Sequence, residues 1–276
     1  MEYIIFFPVS LIASIIGSIC GVGGGVFMKP TLDALNVLPV NTITFLSSCT
    51  VFSMACYNVV SSLSFKENNQ DESFIDWSLT SWLAIGSALG GLLGTTIYSY
   101  IKNLSANPEV IGGYQAIALF IAVLLTLVYT MNREKVKGMK IKNPIILMIL
   151  GFILGTTSSF VGIGGGPINL AVLYFFLSMP TKAAASNSLY IILISQSTSL
   201  MMNFISKTIP QEILSFDIRL WIMMIGMILC GVCGGIIGKS VNKKISSHKV
   251  DKLFNILCVV IMGLCIFNAL NKFNII

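Results

Sequence analysis

Charge is what this chain has least of. Only 10% of its 276 residues are Asp, Glu, Lys or Arg, and there is a single histidine, His248. Soluble domains carry about 25% charged residues, so a water-facing surface over the whole chain is excluded. With one histidine and eleven acidic residues spread thinly, no cluster of metal-ligating spacing emerges, and neither a metal nor another cofactor is expected. The seven cysteines all lie inside apolar runs, and an odd number so placed argues against a disulfide framework. A basic n-region and a small-residue cleavage site are missing from the N-terminus, so the first apolar run reads as a retained helix and not as a signal peptide.

What is present is apolar sequence in long stretches. Uncharged runs cover 3–28, 34–65, 77–101, 110–132, 143–181, 183–206, 220–238 and 253–271. Most of them meet the roughly 20 residues that span a bilayer as a helix, and the alternation of a β-barrel strand is absent. The fold class expected is therefore all-α, a polytopic membrane protein with about eight transmembrane helices and the lipid bilayer as its surroundings. A formal net charge of +6 raises nucleic-acid binding, but the basic residues sit between spans, where membrane orientation accounts for them.

Glycine organises the rest. Gly21-Val22-Gly23-Gly24-Gly25 and Gly162-Ile163-Gly164-Gly165-Gly166 interrupt two apolar runs at a spacing of 141 residues. The same offset places Pro39 on Pro180, Ser47 on Ser188 and Asp76 on Asp217, and three further residues of gap bring Gly90, Gly91 and Gly94 onto Gly234, Gly235 and Gly238. The chain thus reads as one transmembrane domain, 1–276, made of repeat one, 1–132, and repeat two, 143–276. Each repeat shows a segment, a glycine break, a short segment ending at proline and three full spans: 3–20, 26–38, 40–65, 77–101 and 109–131, then 144–160, 167–179, 182–206, 218–238 and 250–271. The second segment of each is about 20 Å long at 1.5 Å per residue, too short to span with ease. It forms a helical hairpin with the segment before it, so each repeat crosses an odd number of times and the two repeats are inverted.

Lysine supports that orientation. Arg133, Lys135, Lys137, Lys140 and Lys142 mark one loop, and Lys239, Lys243, Lys244, Lys249 and Lys252 another. The positive-inside rule puts both in the cytoplasm, with Lys66 and Lys182 following and both termini outside a multi-pass cell-membrane protein.

Broken backbone inside a bilayer survives only where protein buries it or where it lines a cavity, and paired breaks in two halves mark transport sites. A short helix starts at each break, and its N-terminal N–H groups and partial positive charge suit an anion. Close helix packing is the other use of such glycines. Ser47, Asn187 and Ser188 stand out among the polar residues of the following spans because the offset pairs Ser47 with Ser188 and Asn187 adjoins it. Lys29 and Asp33, four residues apart on one face of the short helix, read either as a mutual ion pair or as part of the anion site. Asp76 and Asp217 precede helices and read as N-caps. His248 reads as solvated. Gly238-Lys239-Ser240 resembles the end of a phosphate-binding loop, but Cys233 replaces its earlier glycine and a helix precedes it, so ATP hydrolysis is unsupported. Cys230-x-x-Cys233 leaves a membrane-embedded thiol redox protein as an alternative, although reactive thiols need an electropositive, accessible setting.

The doubled glycine motif, with Pro30 five residues after the first cluster and Pro180-Thr-Lys-Ala-Ala-Ala-Ser-Asn-Ser188 after the second, resembles the TauE/SafE family of sulfite exporters and related permeases over nearly the whole chain. The second motif departs from it, with Pro167 after the glycines and Ala171 where a proline is expected. The resemblance implies a secondary transporter without catalytic residues, moving sulfite, a sulfonate or a related small anion, with an anion channel as an alternative. It implies substrate contacts at Gly21, Gly23, Gly24, Gly25, Pro30, Gly162, Gly164, Gly165, Gly166, Asn187 and Ser188, to which the reading of the residues themselves adds Lys29 and Ser47. The oligomeric state is not legible. In a cysteine-free background, cysteine placed at Lys137 or Ser246 is expected to resist an impermeant thiol reagent applied outside the cell; labelling of either overturns the orientation.

Overall fold

The computed structural model describes residues 5–35, 37–64, 75–104, 108–136, 138–163, 165–205, 213 and 218–273. Among the described residues the α-helices are α1 Phe6–Cys20, α2 Gly25–Ala34, α3 Val40–Ser64, α4 Trp77–Leu104, α5 Pro108–Met131, α6 Pro144–Val161, α7 Pro167–Phe176, α8 Thr181–Ile205, α9 Ile218–Lys244 and α10 Ser247–Lys272. No strand occurs among the described residues. Seven of the helices, α3 to α6 and α8 to α10, are long and apolar enough to cross a membrane, while α1 and α7 are shorter apolar helices.

Helix lengths and packing partners recur along the chain. The most extensive contacts are α4 with α6 and α1 with α9, each the fourth helix of one half against the first of the other. Contacts of α3 with α9 match those of α8 with α4, and α2 with α10 matches α7 with α5. Glycine makes both main seams. A methyl group at Gly90 or Gly94 would overlap the carbonyl oxygen of Phe152 or Thr156, and one at Gly234 or Gly238 would crowd the carbonyl oxygen of Leu11 or Ile15. Leu11 and Ile15 become Phe152 and Thr156 under the offset of 141. Small residues let helix backbones approach where lipid offers no hydrophobic drive to association.

Side-chain contacts set the helix directions. Along α1 and α9, Phe7 meets Gly226, Ser14 meets Gly234 and Ser18 meets Gly238, so these helices run parallel. The α4–α6 seam runs parallel too, from Gly86 on Met148 to Gly94 on Thr156. Helices α3 and α8 cross in opposite senses: Phe45 stacks edge-on against Phe204 with centroids 6.4 Å apart, whereas Asn58 and Ser62 share a pocket with Ala185 and Leu189. One face collects Asn242 on Ile19, Lys239 on Ser62, Asp76 on Asn187 and Arg133 on Thr181. The opposite face collects Tyr98 on Asn41 and Lys272 on Asp33.

Two sequence boundaries are corrected. The lysine-rich stretch from Lys239 is not a loop, because α9 continues to Lys244 and α10 begins at Ser247, leaving a turn of Ile245 and Ser246. Lysine is a good helix former, and nothing between Gly238 and Lys244 breaks the i→i−4 ladder. The short segments are ten residues each. Asp76 caps α4 as expected, accepting from the N–H groups of Ser78 and Leu79 at 3.1 Å, while Asp217 lies outside the described residues.

Substitution tests the seams. Gly90→Leu is expected to lower the melting temperature of purified protein sharply, since overpacking costs about 1–3 kcal/mol or more. Gly263, beside which nothing lies within 4 Å, is expected to accept alanine with unchanged or slightly higher stability.

Candidate functional site

The same cap ends α1 and α6. Gly21 and Gly162 take left-handed backbone, φ 74° and 73°, and the next N–H in each case, Val22 or Ile163, donates back to the carbonyl of Gly17 or Ser158. Left-handed glycine at the C-terminus satisfies orphan carbonyls and turns the chain away. Beyond the caps, Gly23 (φ 72°), Gly165 (φ 115°) and Gly166 (φ 60°) hold conformations that L side chains rarely adopt. Gly24 does not: its φ of −60° is ordinary, and its constraint is the Ala13 carbonyl, about which a methyl group would fit at only 3.0 Å.

These turns bring the starts of α2 and α7 together. Gly25 faces the Ile163 carbonyl, and Gly166 faces the Val26 side chain and the Val22 carbonyl. Val51 and Ile192, related by the offset, flank Gly23. Val22, Val26, Val51, Ile163 and Ile192 are all buried, so an apolar plug surrounds two adjoining helix N-termini. Helix starts leave backbone N–H groups without intrahelical acceptors. One turn into α7, the Asn169 Oδ1 is buried without a hydrogen-bond partner.

The predicted residues divide between this centre and its supports. Of the eight motif glycines, Gly23, Gly25 and Gly166 line it, Gly24 packs on Ala13 and Gly165 on Asn169; Gly164 lies outside the described residues. Gly21 packs against Ala185, and Gly162 against the Thr44 methyl, positions that correspond under the offset. Ser188 and Ser47 stand one helical turn beyond those contacts. The Ser188 Oγ is buried and unpartnered, whereas the Ser47 Oγ donates to the Thr44 carbonyl at 3.1 Å. Asn187 holds the start of α4: its Oδ1 accepts from the Asp76 N–H and the Thr80 hydroxyl, and its Nδ2 donates to the Ala183 carbonyl.

Lys29 is not the ion-pair partner of Asp33. Its Nζ donates to the Val161 carbonyl at 2.7 Å and to Gln115 Oε1 at 3.2 Å, while Asp33 pairs with Lys272 at 3.7 Å. Both sequence alternatives for Lys29 overlooked the exposed end of α6. There the last carbonyls before the glycine break need donors, and a cation suits a helix C-terminus. Gln115 Nε2 supplies the Phe160 carbonyl at 2.6 Å. At the equivalent position of the other break, Asn242 Nδ2 supplies Ile19. Pro30, inside α2, has its carbonyl bonded by Asn268 Nδ2 at 2.9 Å. Gln115, Asn242, Asn268 and Asn169 were missed from sequence, although all but Asn242, which stands among lysines, are amides within an apolar run.

Each short helix is also clamped at its outer end by the last helix region of the opposite repeat. Lys272 holds Asp33 on one face. On the other, Arg133 lies 3.8 Å over the Tyr174 ring, donates to the Met179 carbonyl and Thr181 Oγ1, and Thr181 donates to Asp251. Asp33 and Tyr174 differ by 141 residues.

Fold and site together define a polytopic α-helical membrane protein built around two broken helices that meet inside it. The chain belongs to the TauE/SafE sulfite exporter family, whose model matches residues 6–264. It is similar to the probable membrane transporter protein YunE of Bacillus subtilis (strain 168), 21% identical over 281 residues that cover 95% of this chain and 96% of that one. No solved structure matches significantly. The protein is a membrane transporter.

A double-mutant cycle separates the two pairings. Asp33→Asn with Lys272→Gln is expected to show a coupling of about 0.5 kcal/mol or more in unfolding free energy. Lys29→Met with Asp33→Asn, one turn apart on α2 but not in direct contact, is expected to show a smaller coupling than the Asp33–Lys272 pair.

Proposed function

We propose that the protein is a secondary carrier for a small anion, of the sulfite or sulfonate class, in the cell membrane. The observation that carries this reading is the meeting of the α2 and α7 N-termini. Two sets of unsatisfied N–H groups and two positive helix ends converge on one point, next to the unpartnered polar atoms of Asn169 and Ser188. The name of the family supports sulfite as the type substrate.

The repeats are read as inverted, with both termini outside. Parallel α1 and α9, parallel α4 and α6, and oppositely directed α3 and α8 support that reading. Alternating access then follows from rocking the halves about the glycine site, with the Asp33–Lys272 and Arg133–Tyr174 clamps yielding in turn. The apolar plug favours a carrier over an open channel, because a channel needs a continuous wetted path. A non-enzymatic role is part of the same reading. The rival thiol chemistry gains no support: Cys230 and Cys233 are free on the apolar α9.

Uptake of radiolabelled sulfite, sulfate, taurine and sulfoacetate into proteoliposomes tests the proposal. Saturable flux selective among these four is expected. Gly165→Val, forced into a backbone conformation costing about 1–3 kcal/mol, is expected to insert but to transport less than a tenth as fast, and Gly24→Val to lose activity through its clash with α1. Unselective or unsaturable flux refutes a carrier, and full activity in both variants reduces the glycines to a packing device.

A further inference from the structure

Asn169 Oδ1 and Ser188 Oγ are buried without hydrogen-bond partners, and both lie against the glycine breaks. The Asn169 side chain, 1% exposed, folds back from α7 onto Gly165, where a Cβ would stand 3.3 Å from its Oδ1. Ser188 shares a face of α8 with Ala185 and Ile192, at helical spacings of three and four, and those two residues meet Gly21 and Gly23. One orphan atom therefore stands at each break.

Their chemistry differs. A hydroxyl can find an acceptor on its own helix, as Thr44, Thr50, Ser197 and Thr198 do by donating to the carbonyl four residues back. An amide oxygen only accepts, and an N–H or O–H must be brought to it. Asn187 Oδ1 receives the Asp76 N–H and the Thr80 hydroxyl, and Asn58 Oδ1 receives the Ser18 hydroxyl. Asn169 Oδ1 receives nothing. The other half has Met28 at this place, buried with its sulfur accepting from Ser10, so the amide belongs to one half alone. A buried polar atom left in this way calls for a cause, and this one adjoins helix starts whose N–H groups lack intrahelical acceptors.

The two needs are opposite in kind. N–H groups at a helix start require acceptor oxygens, and Asn169 Oδ1 requires a donor. Sulfate, the sulfite dianion or a simple alkanesulfonate brings acceptors only, and would set its negative oxygens against the amide oxygen. An anion that also carries an O–H or N–H meets both.

We infer that Asn169 is a specificity residue of the central site, selecting anions that carry a hydrogen-bond donor, so that of the two forms of sulfite the carrier takes hydrogensulfite. The inference rests on the anion-carrier reading and narrows it: taurine, with its ammonium, fits, whereas sulfate and sulfoacetate do not. A site built to bond a ligand hydroxyl rejects the analogue lacking it far more strongly than an apolar pocket rejects an added methylene. The Ser188 hydroxyl, donor and acceptor at once, serves either form and leaves the choice to the amide. Each hydrogensulfite that crosses carries its proton along, so sulfite flux is linked to pH without a titrating side chain in the spans.

Equilibrium binding of radiolabelled sulfite to the purified protein, at fixed ionic strength and at pH values below and above the second ionisation of sulfurous acid, tests this. Methanesulfonate is the competitor, since it matches hydrogensulfite in charge but has a methyl group for the hydroxyl. In wild type the apparent Kd for total sulfite is expected to rise about tenfold per pH unit above the ionisation. Methanesulfonate is expected to bind at least about a hundredfold more weakly than hydrogensulfite. Asn169→Leu, and Asn169→Ser where the leucine variant fails to fold, is expected to bring the two ligands within about tenfold of each other and to flatten the pH slope. Every titratable residue of α7 and the elements packed on it is retained in these variants, among them Tyr174 of α7, Tyr114 and Tyr129 of α5, Lys182 and Tyr190 of α8 and Lys29 of α2. A slope that persists in the variants therefore belongs to the protein and overturns the inference. Saturable sulfite binding that methanesulfonate displaces equally well from wild type overturns it too, and leaves the anion site standing. Binding of neither ligand at any pH refutes the anion site and the inference together.

Discussion

Every backbone N–H and C=O at membrane depth must find a partner inside the protein, because lipid offers none. Most of this chain meets that demand with uninterrupted helix. Where α1 and α6 are broken by glycine, the demand reappears, and much of the remaining polar chemistry answers it. Lys29 and Gln115 serve the carbonyls of Val161 and Phe160, and Asn242 serves Ile19. Each donor except Lys29 sits on a helix from late in its repeat. All three reach across to the opposite half or to its break, so the breaks bind the halves to one another. Three of the few charged and amide groups thus serve backbone that the glycine breaks expose.

Packing follows the same economy. With apolar side chains equally content in lipid, the halves adhere through backbone proximity, and the glycine seams at Gly90 and Gly94, and at Gly234 and Gly238, deliver it twice. These seams run parallel and exchange helices between halves, so neither half has a complete interior alone. The centre is then left to Val22, Val26, Val51, Ile163 and Ile192, which close around the two helix starts.

Much of this was legible in sequence because the repeat is a covalent fact of residue order. Glycine at 21 and 162 announces a break, proline at 167 a helix start, and Asp76 a cap, since each acts through local backbone geometry. The partner of Lys29 was not legible. Spacing on α2 made Asp33 a near neighbour, yet the ammonium is drawn by an unsatisfied carbonyl 132 residues away, and nothing local marks which helix end will be presented to it. The end of α9 was misjudged for a related reason: lysines that set membrane orientation also extend a helix beyond the bilayer. Asn169 is the most instructive omission. It is the one amide in α7, and a polar atom at the start of an otherwise apolar helix is a signal available without any structure.

The exchange of helices between halves also imposes an order in time. Helix α1 leaves the ribosome well ahead of its principal partner, α9, which follows roughly 200 residues later, an interval of roughly 10–40 s at 5–20 residues per second. Until then the buried Ser14 and Ser18 have no glycine seam to lie against. The nascent protein therefore holds a polar-striped helix in the bilayer for most of its synthesis, and the moment of α9 insertion, late in the chain, is when the first helix finds its place.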